Sequence, residues 1–471
     1  MNPYNITAGI EVHCELKTQT KMFSDAPNAY QTEANANINV IDFAYPGVLP
    51  TINLYAVELA LKAALLLHCD IHKTMFFDRK NYFYPDLPKG YQITQARTPI
   101  GVHGYVEIEV DGKKKKIGIH DIHIEEDTCK SIHVGTSSLL DFNRNGVPLI
   151  EIVSEPDMQS GEEAILYLEK LRELLLYADI SDCKIEEGSM RCDVNVSVSQ
   201  TETLGTRTET KNVGSIRSVG ACIHSEAQRQ IEVIEAGGMI REETRRYDEK
   251  EDKTILMRVK ETGNDYRYFP EPDLPPVVLE DSYIDEVEKN LPVMPDVRRK
   301  EYEQAGIVPI NIEKIIQNKT ISDYLLDMKD INLVIASNLL LGDIAAYLNK
   351  NNTTLDKTAL TKENFKTLTT LLEKQTISSK QAKDIIPLIL EETTDVHTLI
   401  EKQGLSQITD TDVIAEMIDT ILHDNPDSVT NYKEGKDRAI KYLMGQVMKV
   451  SKGKVNPALA NQVLIQKLKQ M

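Results

Sequence analysis

Five stretches of this chain put acidic residues on segments whose remaining pattern is that of buried β-strands, and few architectures accommodate that. Side chains alternate between the two faces of a strand. In GIHDIHIEED, from Gly118, Asp121, His123, Glu125 and Asp127 therefore share one face while Ile122 and Ile124 share the other. GIEVHCEL sets Glu11, His13 and Glu15 against Val12, Cys14 and Leu16. MRCDVNVSVS sets Arg191, Asp193, Asn195 and Ser197 against Cys192, Val194, Val196 and Val198, and TRTETKN aligns Arg207, Glu209 and Lys211. LIEIVSE is apolar on both faces except at Glu151, where an ionised carboxylate is costly unless a cation or donor meets it.

A largely antiparallel sheet, backed by helices on one side and open on the other, satisfies all five stretches and predicts an α+β fold. Solvated faces are the commoner use of alternating strands. However, Asp, Asn and Glu are poor strand residues, and like charges on neighbouring strands repel unless something neutralises them. The open face therefore reads as a site. Carboxylates with a histidine on a rigid sheet suit a hard divalent cation, and Mg²⁺ in particular takes one or two carboxylates while substrate phosphates complete its shell. Interspersed Arg and Lys suit the phosphates. No G-x-x-x-x-G-K-[ST] or G-x-G-x-x-G loop occurs, so a nucleotide would be held by metal and basic side chains.

Between these strands, NLYAVELALKAALLLHC, SGEEAILYLEKLRELLLYA (Ser160 and Glu163 as a capping box) and SVGACIHSEAQRQIEVIEAGG, stopped by Gly237 and Gly238, predict helices covering the packed face. Asp111-Gly112 predicts a hairpin turn, with the neighbouring lysines at a solvated tip. FDRKNYFYPDLPKGYQITQ, with Arg79, Lys80, Asn81 and Lys89 among aromatics and prolines, reads as an ordered loop rather than a core element. Arg245, Arg258, Lys260 and Arg267 follow in a later segment that supports the face.

After Pro276 helical periodicity takes over. The expected organisation is a cradle domain over residues 1–292, a helical domain over 293–404 and a short helical tail over 405–471. The chain of 471 residues carries a net charge of −19, which argues against a generally basic nucleic-acid binder. From Lys433 onward, however, nine lysines and arginines face two acids, Glu434 and Asp437, and a tail with seven surplus positive charges favours a polyanion partner. Six cysteines spaced singly argue against a disulfide framework or a zinc knuckle. Cys14 and Cys129 lie in the acidic-face segments, and of these Cys129 is expected to reach solvent. The N-terminus shows no signal-peptide pattern and no apolar run is long enough to span a bilayer, so a soluble cytoplasmic protein without membrane contact is expected.

GIEVHCEL, RKNYFYPDLPKGYQITQ, IHIEEDTCK, LLDFNRNGVPLIEIVSEPD, GSMRCDVNVSV, RTETKNVGSIRS, ETRRYDE and DYRYFPEPDLPP occur in order across residues 9–276. They closely resemble the B-subunit family of the tRNA-dependent glutamyl/aspartyl amidotransferases, and GKVNPALANQVLIQKLK resembles that family's tail. The resemblance implies a cradle like the catalytic domain of glutamine synthetase, followed by two small all-α domains. It implies phosphorylation of the side-chain carboxylate of Glu or Asp mischarged on tRNA, with ATP and Mg²⁺, and displacement of phosphate by ammonia. An amidase subunit and a small linking subunit of a heterotrimer are the implied partners. The resemblance further implies Glu11, His13, Glu125, Glu151, Asp193 and Glu209 as metal ligands and Glu125, Glu126, Glu151 and Asp193 as catalytic carboxylates. Lys80, Asn81, Tyr82, Arg191 and Arg258 are the implied phosphate and nucleotide contacts. Many relatives carry paired zinc-binding cysteines between the positions matching Phe23 and Pro46. This chain has none there, so no zinc is expected. The alternative is a subunit that only holds tRNA and whose acidic face is a non-catalytic cation site. A freestanding metal-dependent phosphoesterase leaves the basic tail without a role.

Overall fold

A computed structural model describes residues 4–30, 33–211, 213–259, 266–328, 330–403, 408, 410–433, 436, 438–451 and 454–470. The chain forms two compact units, divided after Met294. Lys260, Gly404, Glu434, Asp437 and Lys452, all used in the sequence argument, lie outside the described residues.

The first unit holds the strands β1 (Asn5–Glu15), β2 (Asp70–Ile71), β3 (Thr74–Met75), β4 (Asp78–Asn81), β5 (Tyr91–Thr94), β6 (Gly101–Val110), β7 (Lys113–Glu126), β8 (Lys130–Val134) and β9 (Ser137–Asp141). They are followed by β10 (Pro148–Ser154), β11 (Met190–Ser199), β12 (Thr208–Lys211), β13 (Glu243–Asp248), β14 (Lys253–Val259), β15 (Phe269–Pro270) and β16 (Val277–Val278). Nine of them form one sheet in the order β14-β13-β12-β11-β1-β10-β7-β6-β2. All five acidic-face stretches are consecutive neighbours in it, with β1 at the middle of the five. Every pairing is antiparallel except β12 with β13. That parallel pair is spanned by helix α3 (Ile216–Glu235), as parallel neighbours need a long crossover.

The packed face is made by Val12, Cys14, Ile122, Ile124, Ile150, Ile152, Cys192, Val194 and Val196, all fully or almost fully buried. Helices α1 (Leu54–Leu66), α2 (Gly161–Tyr177) and α3 supply the other half of this core. Each helix starts on a side-chain cap: Asn53, Ser160 and Ser215 accept from the backbone N–H of Ala56, Glu163 and Ser218. Only half of the expected capping box forms at Ser160, because the Glu163 carboxylate accepts instead from Gln159 N and Lys115 Nζ. Gly161 and Gly220 let α2 and α3 meet: a Cβ at Gly161 would lie 2.4 Å from the Gly220 carbonyl oxygen. Asp111 and Gly112 both have positive φ, the geometry of a two-residue hairpin turn.

The segment read as one loop contains two strands. Arg79 pairs with Ile93 and Lys80 with Gln92, while Phe269 pairs with Arg79 from the far side. Four-residue strands interrupted by Pro85 and Pro88 are too short for alternation to show, and part of their pairing comes from residues some 190 positions away. Arg79 fastens this small sheet through a bidentate pair with Glu271, at 2.6 and 2.8 Å, and lies over the Tyr91 ring.

The described elements of the second unit are helices, from Pro295–Gln304 to Pro457–Gln470, with one isolated bridge between Ile408 and Val455. Thr411–Asp424, Arg438–Val450 and Pro457–Gln470 bury an apolar cluster of their own, including Ile414, Ile418, Leu443, Val447, Leu464 and Leu468. No helix among the described residues is long and apolar enough to cross a membrane.

Candidate functional site

Strand register arranges the open face as a grid. His123 pairs with Glu151, Glu151 with His13, and His13 with Arg191, giving one row across β7, β10, β1 and β11. The next row runs Asp121, Val153, Glu11 and Asp193. Farther along β11, Asn195 pairs with Glu209, Glu209 with Thr244, and Thr244 with Arg258.

Two groups of potential ligands result. His13, Glu125 and Glu151 form the first, and Glu11, Asp193 and Glu209 the second, with one donor atom from each member within 4.8 Å of the others in its group. In the first, His13 Nε2 lies 3.5 Å from Glu125 Oε1 and 3.5 Å from Glu151 Oε2. Both donor sets, carboxylate oxygens with at most one imidazole, fit a hard divalent cation. All six residues expected as metal ligands are thus gathered into two adjacent sets. Glu11 and His13, two residues apart on β1, anchor one set each at a Cα separation of about 7 Å.

The electrostatics of the two sets differ. Burial would raise the pKa of Glu151, but His13, His123 and Lys80 outweigh it and hold the carboxyl well below the usual range. Glu125 shifts upward because it is buried and faces the Glu151 charge. Burial likewise raises Glu11, with further contributions from Glu151, Asp193 and Glu209, opposed by the hydrogen bond from Asn195. His123 was not among the expected site residues, yet it is central: its ring lies 2.8 Å from Asp121 Oδ1 and 2.9 Å from Glu151 Oε2. Burial disfavours its charge, but Glu151 and Asp121 push its pKa up to about 10. Strand parity already aligns His123 with Asp121 and Glu125, and that was the available signal.

Lys80, on β4, is half-buried, and its ammonium lies 5.1 Å from the centre of the Tyr266 ring. Burial works against its charge, while Glu125, Tyr268 and Glu151 raise its pKa. Asn81 is engaged with backbone, donating to the carbonyls of Tyr266 and Arg267. Tyr82 packs edge-on against Tyr84 and Tyr266, and burial raises its phenol pKa. Arg258 is exposed, with Nε 3.4 Å from Thr244 Oγ1, which in turn donates to Glu209. Arg191 donates to Asp127 at 2.7 Å, and Arg144 lies 3.4 Å from the same oxygen.

The structure does not bring Glu126 to the face. Alternation sets it opposite Glu125, and it accepts from Lys89 Nζ and from Ile93 N at 3.0 Å. Arg245 is also turned inward, donating to Thr254 Oγ1 and lying 3.3 Å from the fully buried Glu226. Cys129 is buried, with 1 % exposure, because the loop ahead of β5 closes over it through the hydrogen bond from Cys129 N to the Asp86 carbonyl. The expected path to solvent does not exist there. All six cysteines are free thiols.

Two family models cover most of the chain: the GatB/GatE catalytic domain matches residues 6–285 and the GatB domain residues 328–468. Similar proteins include the aspartyl/glutamyl-tRNA(Asn/Gln) amidotransferase subunits B of Bacillus velezensis, 47 % identical over 473 residues, and of Ligilactobacillus salivarius, 48 % identical over 478. That of Halalkalibacterium halodurans is 46 % identical over 471, and in all three comparisons 99 % of each chain is covered. With the first model spanning the sheet that carries both carboxylate sets, the second lying in the helical unit and near-complete coverage of each relative, the chain belongs to the GatB/GatE family of amidotransferase B subunits.

Proposed function

We propose that this chain uses ATP and Mg²⁺ to phosphorylate and then amidate the side-chain carboxylate of Glu-tRNA(Gln), Asp-tRNA(Asn) or both. In this reading ammonia comes from a partner amidase subunit, a small third subunit links the two, and the assembly works in the cytoplasm. The observation that carries the proposal is the pair of carboxylate sets side by side on one rigid sheet face, with Lys80 electrostatically coupled to the first. The relatives' names supply the substrate class and the expectation of further subunits.

A carboxylate is a poor electrophile, so its oxygen must first take the γ-phosphoryl group of ATP; ammonia then attacks the carbonyl carbon and phosphate leaves. Mg²⁺, when bound, neutralises charge on the transferring phosphoryl group. The residues of this chain prepare the place for it. His13, His123 and Lys80 keep Glu151 ionised, and the strand backbone fixes His13 and Glu125 beside it. Arg258, exposed at the edge of the second set, is available to phosphate oxygens, while Arg191 braces Asp127. Zinc is not part of the proposal. Near Phe23, Lys21 pairs with Asp42, and Ser24 and Asn39 are also bonded to the Asp42 carboxylate. The basic residues of the tail are assigned to tRNA phosphates.

ATP cleavage by the chain with its co-expressed partners tests the reading. It should require Glu-tRNA(Gln) or Asp-tRNA(Asn), each tried separately, and should vanish in Glu151→Ala and Asp193→Ala while tRNA binding stays near wild type. No ATP cleavage with either charged tRNA, alongside intact tRNA binding, favours a subunit that only holds tRNA, and wild-type turnover in either variant at low Mg²⁺ overturns the assignment of the carboxylates.

A further inference from the structure

The second carboxylate set contains its own cation. Lys211, the last residue of β12, reaches across the open face with Nζ 2.7 Å from Asp193 Oδ2 and 2.6 Å from Glu209 Oε1. It thus spans two of the three potential ligands, while the third, Glu11, accepts from Asn195 Nδ2 at 2.9 Å. Among the described residues the first set has no equivalent: its neutralising groups are imidazoles, with Lys80 approaching from another sheet. We infer that Lys211 is a tethered competitor for the second set, so that a divalent ion binds there only as Lys211 withdraws to a phosphate of the incoming nucleotide. This rests on the proposed function, since it takes the second set as a cation site and phosphate as the ligand of the face.

Three features support the inference. A divalent cation held by Glu11, Asp193 and Glu209 together would occupy the region between Asp193 and Glu209 that the ammonium now fills, so both cannot hold the same oxygens. The lysine side chain is about one-third exposed, and its four-carbon stem gives it freedom to turn outward, which a guanidinium clamp would lack. Finally, an ammonium removed from two carboxylates needs another anion, and a phosphate arriving beside Arg258 provides one. Ion and phosphate then assist each other, because each takes what the other releases, and such coupling is reciprocal.

Mn²⁺ binding to the full chain, read from the EPR signal of the free ion, tests this with and without a non-hydrolysable ATP analogue, after correction for ion bound by the analogue itself. The wild type should bind one ion tightly and a second weakly, the second tightening when the analogue is present. Lys211→Met should bind the second ion about tenfold more tightly without the analogue, the order expected for removing two partly exposed ion pairs, and should lose most of the analogue dependence. Lys211→Gln should behave likewise and serves if Lys211→Met fails to fold. Adding Asp193→Asn to either variant should abolish the second ion. A second ion bound no more tightly in the Lys211 variants than in the wild type overturns the competitor role while leaving the cation site standing. No second ion in any protein, even with the analogue, overturns both.

Discussion

Replacing Glu151 with Gln in metal-free protein should remove the group that holds His123 charged. Burial alone would push the His123 pKa below 6.5, and Glu151 contributes both through its charge and through the 2.9 Å contact. Asp121 and Glu125 remain in the variant, so the pKa should fall from about 10 toward the ordinary imidazole value. The wild-type value lies above that of an unfolded chain, near 6.5. The stabilisation is therefore fully present below pH 6.5 and is lost as pH rises through about 10. At pH 7 the interval of about three pH units corresponds to at most ~4 kcal/mol at 1.36 kcal/mol per unit. Compensating desolvation of Glu151 itself reduces the expected loss to about 2–3 kcal/mol. Imidazole titration by NMR in the presence of a chelator, together with urea unfolding at pH 7 and pH 10, reads both quantities. An unchanged His123 pKa, or equal destabilisation at the two pH values, would refute the electrostatic account of this pair.

Glu15, on the same strand face, has its pKa raised to about 7 by burial and by Asp127, against Arg191 and Arg144; its contribution to stability is present below pH 4.5 and lost as pH rises through 7. Glu15→Gln should consequently be more stable than wild type at pH 8 by about 1–3 kcal/mol and nearly equal to it at pH 4.5, as urea midpoints at the two pH values would show. Removing the residues after 404 should weaken tRNA binding and flatten its dependence on salt while sparing Mn²⁺ binding to the sheet; filter binding at several salt concentrations decides, and an unchanged slope would exclude the tail as the contact. Given ATP, Mg²⁺ and Glu-tRNA(Gln), the chain without partners should form Gln-tRNA from ammonium salt and none from glutamine, since hydrolysing glutamine needs an activated nucleophile. Glutaminase activity in the single chain would show an overlooked nucleophile.

The large sheet was legible because alternation has a period of two and an acidic residue amid isoleucines marks a face. Glu11, His13 and Glu151 could be aligned by parity alone, although which strands are neighbours could not. Parity also separates Glu126 from Glu125, and a family-level reading that treats the acidic run as one motif obscures this. The strands at Lys80 and Gln92 escaped because they are short, and the first of them also pairs with Phe269 and Pro270, far away in sequence. The burial of Arg245 was hidden because its partner Glu226 lies on helix α3: a buried ion pair between a helix and a strand leaves no periodic trace.

The fate of the carboxylate oxygens tests the central claim most directly. If the sheet face activates the side-chain carboxylate as an acyl phosphate, Glu-tRNA(Gln) carrying ¹⁸O in both side-chain oxygens should yield inorganic phosphate with one ¹⁸O for each Gln-tRNA formed, since the oxygen that attacks phosphorus leaves with it. Mass spectrometry of the released phosphate should show that one-to-one transfer. Phosphate free of ¹⁸O, alongside normal amide formation, would contradict the mechanism.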